Sequence, residues 1–102
     1  MDPLIQSRRR ELTEVCQRFG VRRLELFGSA ARGRPIDEVG DLDFLVEFQA
    51  IDPDGYADTY FGLLEALEHL FGRRVDLVMA SAISNPYFLQ SIARHRTVLY
   101  GT

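Results

Sequence analysis

The stretch Asp41-Leu42-Asp43-Phe44-Leu45-Val46-Glu47-Phe48 sets Leu42, Phe44, Val46 and Phe48 on one side of an extended chain and Asp41, Asp43, Leu45 and Glu47 on the other. That is the pattern of a central strand with a polar start. Two residues apart on a strand, the Asp41 and Asp43 carboxylates project from one face roughly 6–7 Å apart. Like charges at that separation repel, and each resists removal from water. Asp76 lies inside a further short apolar strand, Arg74-Val75-Asp76-Leu77-Val78-Met79. If the two strands are neighbours, three carboxylates converge at a strand's edge. Such a group is a hard-cation site of the kind that holds Mg²⁺ together with substrate phosphates, and the cation would supply the missing positive charge. Arg74, on the same strand face as Asp76, offers the competing account, in which an arginine simply neutralises the acids.

Upstream, the run Phe27-Gly28-Ser29-Ala30-Ala31-Arg32-Gly33 closes a short alternating strand at residues 23–27, and 11 residues separate Ser29 from Asp41. A strand that ends in Gly-Ser and runs into a helix exposes backbone N–H groups and a hydroxyl able to hold a phosphate. Gly28 lets the phosphate approach closely. Gly-Ser is also common at helix starts, where Ser29 would serve as a plain N-cap. Arg32 is placed to touch a phosphate, although an arginine in the first turn after a strand commonly forms only a surface pair.

Farther out, Asp2 and Pro3 read as an N-cap and a first helical residue, and Ile5, Leu12, Val15, Cys16 and Phe19 form one helical stripe that stops at Gly20. From Pro53 to Phe71 the apolar residues Tyr60, Leu63, Leu64, Leu67, Leu70 and Phe71 recur at intervals of three and four, with Gly72 as the stop. Asn85 and Pro86 open a short helix through about Arg94, and Thr97–Tyr100 closes with a strand. The order helix, strand, strand, helix, strand, helix, strand predicts one α/β domain over residues 1–102.

Composition narrows the chemistry. The 102 residues are 46% hydrophobic and 26% charged, a globular balance, and no apolar run approaches the ~18 residues of a membrane span. All 12 basic residues are arginine. Without lysine there is no Walker-type phosphate loop and no pyridoxal Schiff base. One cysteine and two histidines match no zinc spacing, and no signal peptide is evident, so a cytoplasmic location is expected. The net charge of -3 conceals an asymmetry: residues 1–34 carry +4, residues 35–72 carry -10 with no base, and residues 73–102 carry +3. The basic flanks are too mixed with acids to predict nucleic-acid binding. His69 and His95 read as exposed helix residues, Cys16 as a small core residue, and Tyr56, Tyr60 and Phe61 as core or interface.

The combination of FGSAARG, DLDFLVEF, VDLV and NPYFLQSIARHRTVLY resembles the minimal nucleotidyltransferase (MNT) domains of the polymerase-beta-like nucleotidyltransferase superfamily, over nearly the whole chain. The resemblance implies an α+β fold with a small mixed sheet flanked by helices. It also implies that Gly28, Ser29 and Arg32 hold nucleotide phosphates, that Asp41, Asp43 and Asp76 bind two Mg²⁺ ions, and that Asp76 activates the attacking hydroxyl. Where the family commonly has serine before the first aspartate, this chain has Gly40. The activity implied is Mg-dependent transfer of AMP, or another NMP, from ATP or another NTP onto a hydroxyl acceptor. MNT proteins are often encoded beside a small helical HEPN-type toxin, which makes such a protein the expected partner and the MNT member its antitoxin. A non-catalytic antitoxin that neutralises a helical partner by occlusion is the alternative. Transfer to a small molecule is disfavoured, since relatives of that kind carry an extra helical domain.

Overall fold

The computed structural model describes residues 3–28, 31, 40–50, 52–80, 87, 90 and 96–101. Its elements are α1 (Pro3–Ser7), α2 (Arg9–Arg18), β1 (Val21–Phe27), β2 (Leu42–Phe48), a 3-10 turn (Pro53–Gly55) running into α3 (Tyr56–Phe71), β3 (Val75–Met79) and β4 (Thr97–Tyr100). The sheet order is β3-β2-β1-β4, with β1 antiparallel to both β2 and β4 and β2 parallel to β3. The parallel pair is bridged by α3, as parallel neighbours require a long crossover. The sheet is therefore mixed and flanked by helices, as the resemblance implies.

Several boundaries differ from the sequence expectation: β2 begins at Leu42 rather than Asp41, β3 at Val75 rather than Arg74, and α3 at Tyr56 after a 3-10 turn rather than at Pro53. The single helix expected from Pro3 to Phe19 is divided at Arg8, whose N–H is shared between the carbonyls of Leu4 and Ile5 at 3.2 Å each. The Ser7 hydroxyl donates to the Leu4 carbonyl at 2.9 Å and so competes for the same acceptor. β1 begins at Val21 rather than residue 23, because an irregularity between Val21 and Arg23 lets the strand continue where simple alternation breaks. The proposed N-cap Asp2 lies outside the described residues, as does most of the expected helix at Asn85–Arg94, of which Tyr87 and Gln90 are helical.

The alternation in β2 governs the packing. Leu42, Phe44 and Val46 are fully buried under the helices, together with Leu24 of β1, Leu12 and Cys16 of α2 and Leu63 and Leu67 of α3. Phe44 stacks on Phe71 with ring centroids 5.8 Å apart. Each fully buried side chain of this size contributes about 1.5–3 kcal/mol relative to exposure. Burial pushes the Cys16 thiol up to about 12, so this residue packs as an inert apolar group. α3 ends because Gly72 takes a left-handed conformation, φ +66°, and its N–H closes on the Glu68 carbonyl at 2.8 Å.

β3 is an edge strand, and α3 covers part of that edge. Leu42 N–H bonds the Arg74 carbonyl at 3.0 Å, which turns the backbone groups of Val75 and Leu77 away from β2. The Glu68 carboxylate accepts from the Val75 N–H at 3.1 Å, and the Tyr60 hydroxyl donates to the Leu77 carbonyl at 2.5 Å. Tyr60→Phe is expected to lower stability by about 0.5–1.5 kcal/mol, the net value of one such bond, as read from the urea midpoint at unchanged slope. A variant equal to wild type would show that the hydroxyl does not hold the edge.

Candidate active site

The face of the sheet opposite the helices carries the odd-numbered residues of β2. Register brings the ends of three strands together there. Asp43 is the Cα partner of Phe27 in β1 on one side and of Asp76 in β3 on the other. Asp76 is therefore beside Asp43, as the neighbouring-strand condition demands. Asp41 does not belong to the strand itself; it sits at an exposed bend immediately before Leu42 and still acts on Asp43.

Gly28 follows directly on β1 with φ +74°, a left-handed conformation that side chains disfavour. A Cβ built there would run into the Asp43 carboxylate, with Oδ2 nearest and Cγ at 3.3 Å. The missing side chain is what allows the backbone turn and the acid to touch. Ser29 and Arg32, the other two expected phosphate-binding residues, lie outside the described residues.

Burial, then the charge of Asp76, then that of Asp41 hold the Asp43 carboxyl above its ordinary value. Arg74 does not neutralise the group: among the described residues the ion pairs lie elsewhere, joining Arg8 to Glu11, Arg10 to Glu14, Arg22 to Glu47, and Arg23 and Arg96 to Glu25. The acids together form a negative site of hard oxygen donors. Among the described residues, no three His, Cys, Asp or Glu side chains stand together as a ready-made metal-binding group. The expected triad is instead a registered pair, Asp43 and Asp76, with Asp41 alongside. That donor set suits Mg²⁺, which is characteristically held by one or two carboxylates plus substrate phosphates and water rather than by an all-protein cage.

Two features around the site carry little signal in the sequence. Glu25 is only 3% exposed and is paired with Arg23 at 2.7 Å and Arg96 at 3.6 Å, which ties the entry to β4 to the centre of β1. A charge at a strand position flanked by Leu24 and Leu26 was its only signal. Tyr60, assigned no role, has its hydroxyl against β3, where burial and the charges of Asp76 and Tyr56 push its pKa up.

A four-stranded mixed sheet that places two aspartates in register beside a glycine turn is the arrangement of a nucleotidyltransferase. The chain belongs to the nucleotidyltransferase domain family, which it matches over residues 8–99. It is 38% identical over 85 residues to the protein adenylyltransferase MntA of Thermococcus cleftensis, covering 83% of this chain and 79% of that one. A solved structure described as a putative minimal nucleotidyltransferase superposes with a TM-score of 0.75 at 33% identity, over 95% of both chains. The fold is shared as well with the complex of a tri-AMPylated Shewanella oneidensis HEPN toxin and its MNT antitoxin, at a TM-score of 0.65 and 20% identity, over 96% of this chain and 73% of that one. The expectation of a minimal nucleotidyltransferase is borne out. No helix among the described residues is long and apolar enough to cross a membrane.

Proposed function

We propose that this nucleotidyltransferase moves AMP from ATP onto a hydroxyl of a partner protein, and that the partner is a small helical toxin of the HEPN type for which this chain is the antitoxin. The observation that carries the reading is the registered Asp43–Asp76 pair with Gly28 packed against Asp43. The name of the Thermococcus cleftensis relative supports AMP transfer to protein, and the AMPylated toxin seated on a similar fold supports the class of acceptor. An ATP-dependent reaction of this kind belongs in the cytoplasm.

Gly28 and Ser29, through backbone N–H groups and the Ser29 hydroxyl, bind the triphosphate, with Arg32 adding charge. Asp41, Asp43 and Asp76 would hold Mg²⁺, which when bound supplies positive charge to the α-phosphate and the leaving pyrophosphate. Asp76, exposed at the start of β3, takes the proton of the acceptor hydroxyl as that oxygen bonds to the α-phosphorus and the bond to pyrophosphate breaks. Holding the hydroxyl in line at near-attack distance supplies roughly 7–11 kcal/mol of the barrier, so the partner's docking is a large part of the catalysis.

The test incubates the purified chain with labelled ATP and Mg²⁺, with and without a small helical protein of the HEPN type, and reads intact masses. The expected result is an AMP increment on the partner only, dependent on Mg²⁺ and on this chain. Neutralisation of the partner with no mass increment would replace transfer by occlusion. Equal labelling of a simple alcohol would remove the requirement for a protein acceptor.

A further inference from the structure

Beside the acids, at the outer edge of the sheet, the first half of α3 and β3 enclose an apolar groove of about 480 Å³, lined by Tyr56, Tyr60 and Phe61 on one side and Leu77, Val78 and Met79 on the other. Tyr56 is 37% and Phe61 58% exposed, unusual for aromatic side chains that lie together. The β3 wall begins one residue after Asp76, and the Tyr60 hydroxyl lies within the field of that aspartate. The groove therefore opens at the outer edge of the sheet, one residue along β3 from Asp76.

Charge and hydrogen bonding define what fits. The turn and helix start that form the α3 wall carry exposed Asp52, Asp54 and Asp58, and residues 35–72 contain no basic residue at all. An apolar floor entered past exposed Asp52 and Asp54, in a segment without a basic residue, fits an apolar stripe flanked by arginine or lysine. Addition of a β-strand to the edge is obstructed, because the outward Val75 N–H and Leu77 carbonyl are already taken by Glu68 and Tyr60. A helix needs no such backbone groups, since its own are satisfied internally. The larger hollow between α2 and α3, about 720 Å³, mixes Glu11, Glu14 and Glu65 with Arg18 and His69 and lies in the helical layer, on the other side of the sheet from Asp43.

We propose that the groove between α3 and β3 is the docking site for a basic, amphipathic helix of the acceptor protein, seated with its apolar stripe on Tyr56, Phe61 and Met79 so that a hydroxyl it carries reaches Asp43 and Asp76. This deepens the transfer reading and rests on it for the role of the hydroxyl, while the docking itself does not require that any AMP be moved.

The experiment uses the full chain labelled with ¹⁵N and two synthetic 18-residue helical peptides with the same Leu/Phe stripe, one flanked by Arg and one by Glu. The Arg-flanked peptide is expected to shift the amides of Tyr56, Phe61, Val78 and Met79, and the Glu-flanked peptide to leave them unmoved. Phe61→Asp, at an exposed position outside the nucleotide site, is expected to weaken binding of that peptide by at least about tenfold and to slow transfer to a HEPN-type acceptor protein, with Mg-ATP affinity unchanged. Equal binding of both peptides, shifts centred on the α2–α3 hollow, no shifts at millimolar peptide, or a Phe61→Asp chain that transfers at the wild-type rate would each overturn the proposal. Docking to the groove by a wild-type chain that transfers no AMP would overturn the transfer reading and leave this one standing.

Discussion

Asp43→Asn is expected to abolish AMP transfer while leaving the protein as stable as before, or more so. The loss should reach about 10³-fold, the effect of removing several kcal/mol of charge stabilisation at the reacting phosphate. The gain in stability has a separate origin. Asp43 stands between the charges of Asp76 and Asp41, is drawn out of water by burial, and titrates above its ordinary value in the folded chain. A carboxyl raised in this way binds more protons folded than unfolded, in the window from its ordinary value up to its folded one. Stability therefore falls as pH rises through that window, and the full penalty remains above it. In metal-free buffer, the wild type should lose stability across that window and the Asn variant should lose less, as thermal melts at a series of pH values would show. Asp43→Asn is thus predicted to separate activity from folding. A variant that keeps near-normal transfer would remove Asp43 from the site, and one that melts well below wild type at neutral pH would mean that its carboxylate is paired rather than repelled.

Gly28→Ala is expected to damage the same site in the opposite thermodynamic sense, losing both ATP binding and stability. Two independent costs meet at this position. The backbone holds φ at +74°, where a residue with a side chain is strained by about 1–3 kcal/mol. The added methyl would also collide with the Asp43 carboxylate, so either the turn or the acid must move. Each kcal/mol lowers the melting temperature of a domain this size by about 4–8 °C. A double-mutant cycle divides the costs: Asp43→Ser relieves the collision and leaves the strain, so Gly28→Ala should cost less stability in the Asp43→Ser background than in the wild type. ATP affinity, measured by calorimetry on Gly28→Ala alone, should drop below detection because the triphosphate loses the close approach that the bare turn permits. Wild-type affinity in that variant would mean that the phosphates are held elsewhere.

Local pattern was enough to locate the elements. The period of two in residues 41–48 identifies β2 and which of its side chains are buried, and the period of three to four ending at Gly72 identifies α3. These signals are readable because each depends on neighbours a few positions away. Where local interactions conflict, the reading drifted: Ser7 and Arg8 divide the first helix, and the bend at Gly40 and Asp41 removes the first aspartate from the strand.

By itself, then, the sequence determined the kinds of groups available: three acids in apolar surroundings, a glycine turn before them, no lysine, and an acidic middle with no base. The tertiary structure decided which of those groups meet. Nothing local to Asp76 specifies that it stands opposite Asp43, because the parallel register of β2 and β3 is set by burying Leu42, Phe44 and Val46 beneath Leu63, Leu67 and Phe71. A slip of one residue would turn those side chains to the other face and carry the acids with them. The same long-range packing buries Glu25 between Arg23 and Arg96 and opens the aromatic groove beside Asp76. Periodicity records which face of an element is apolar, but only the closing of the core over that face decides what lies across from each residue.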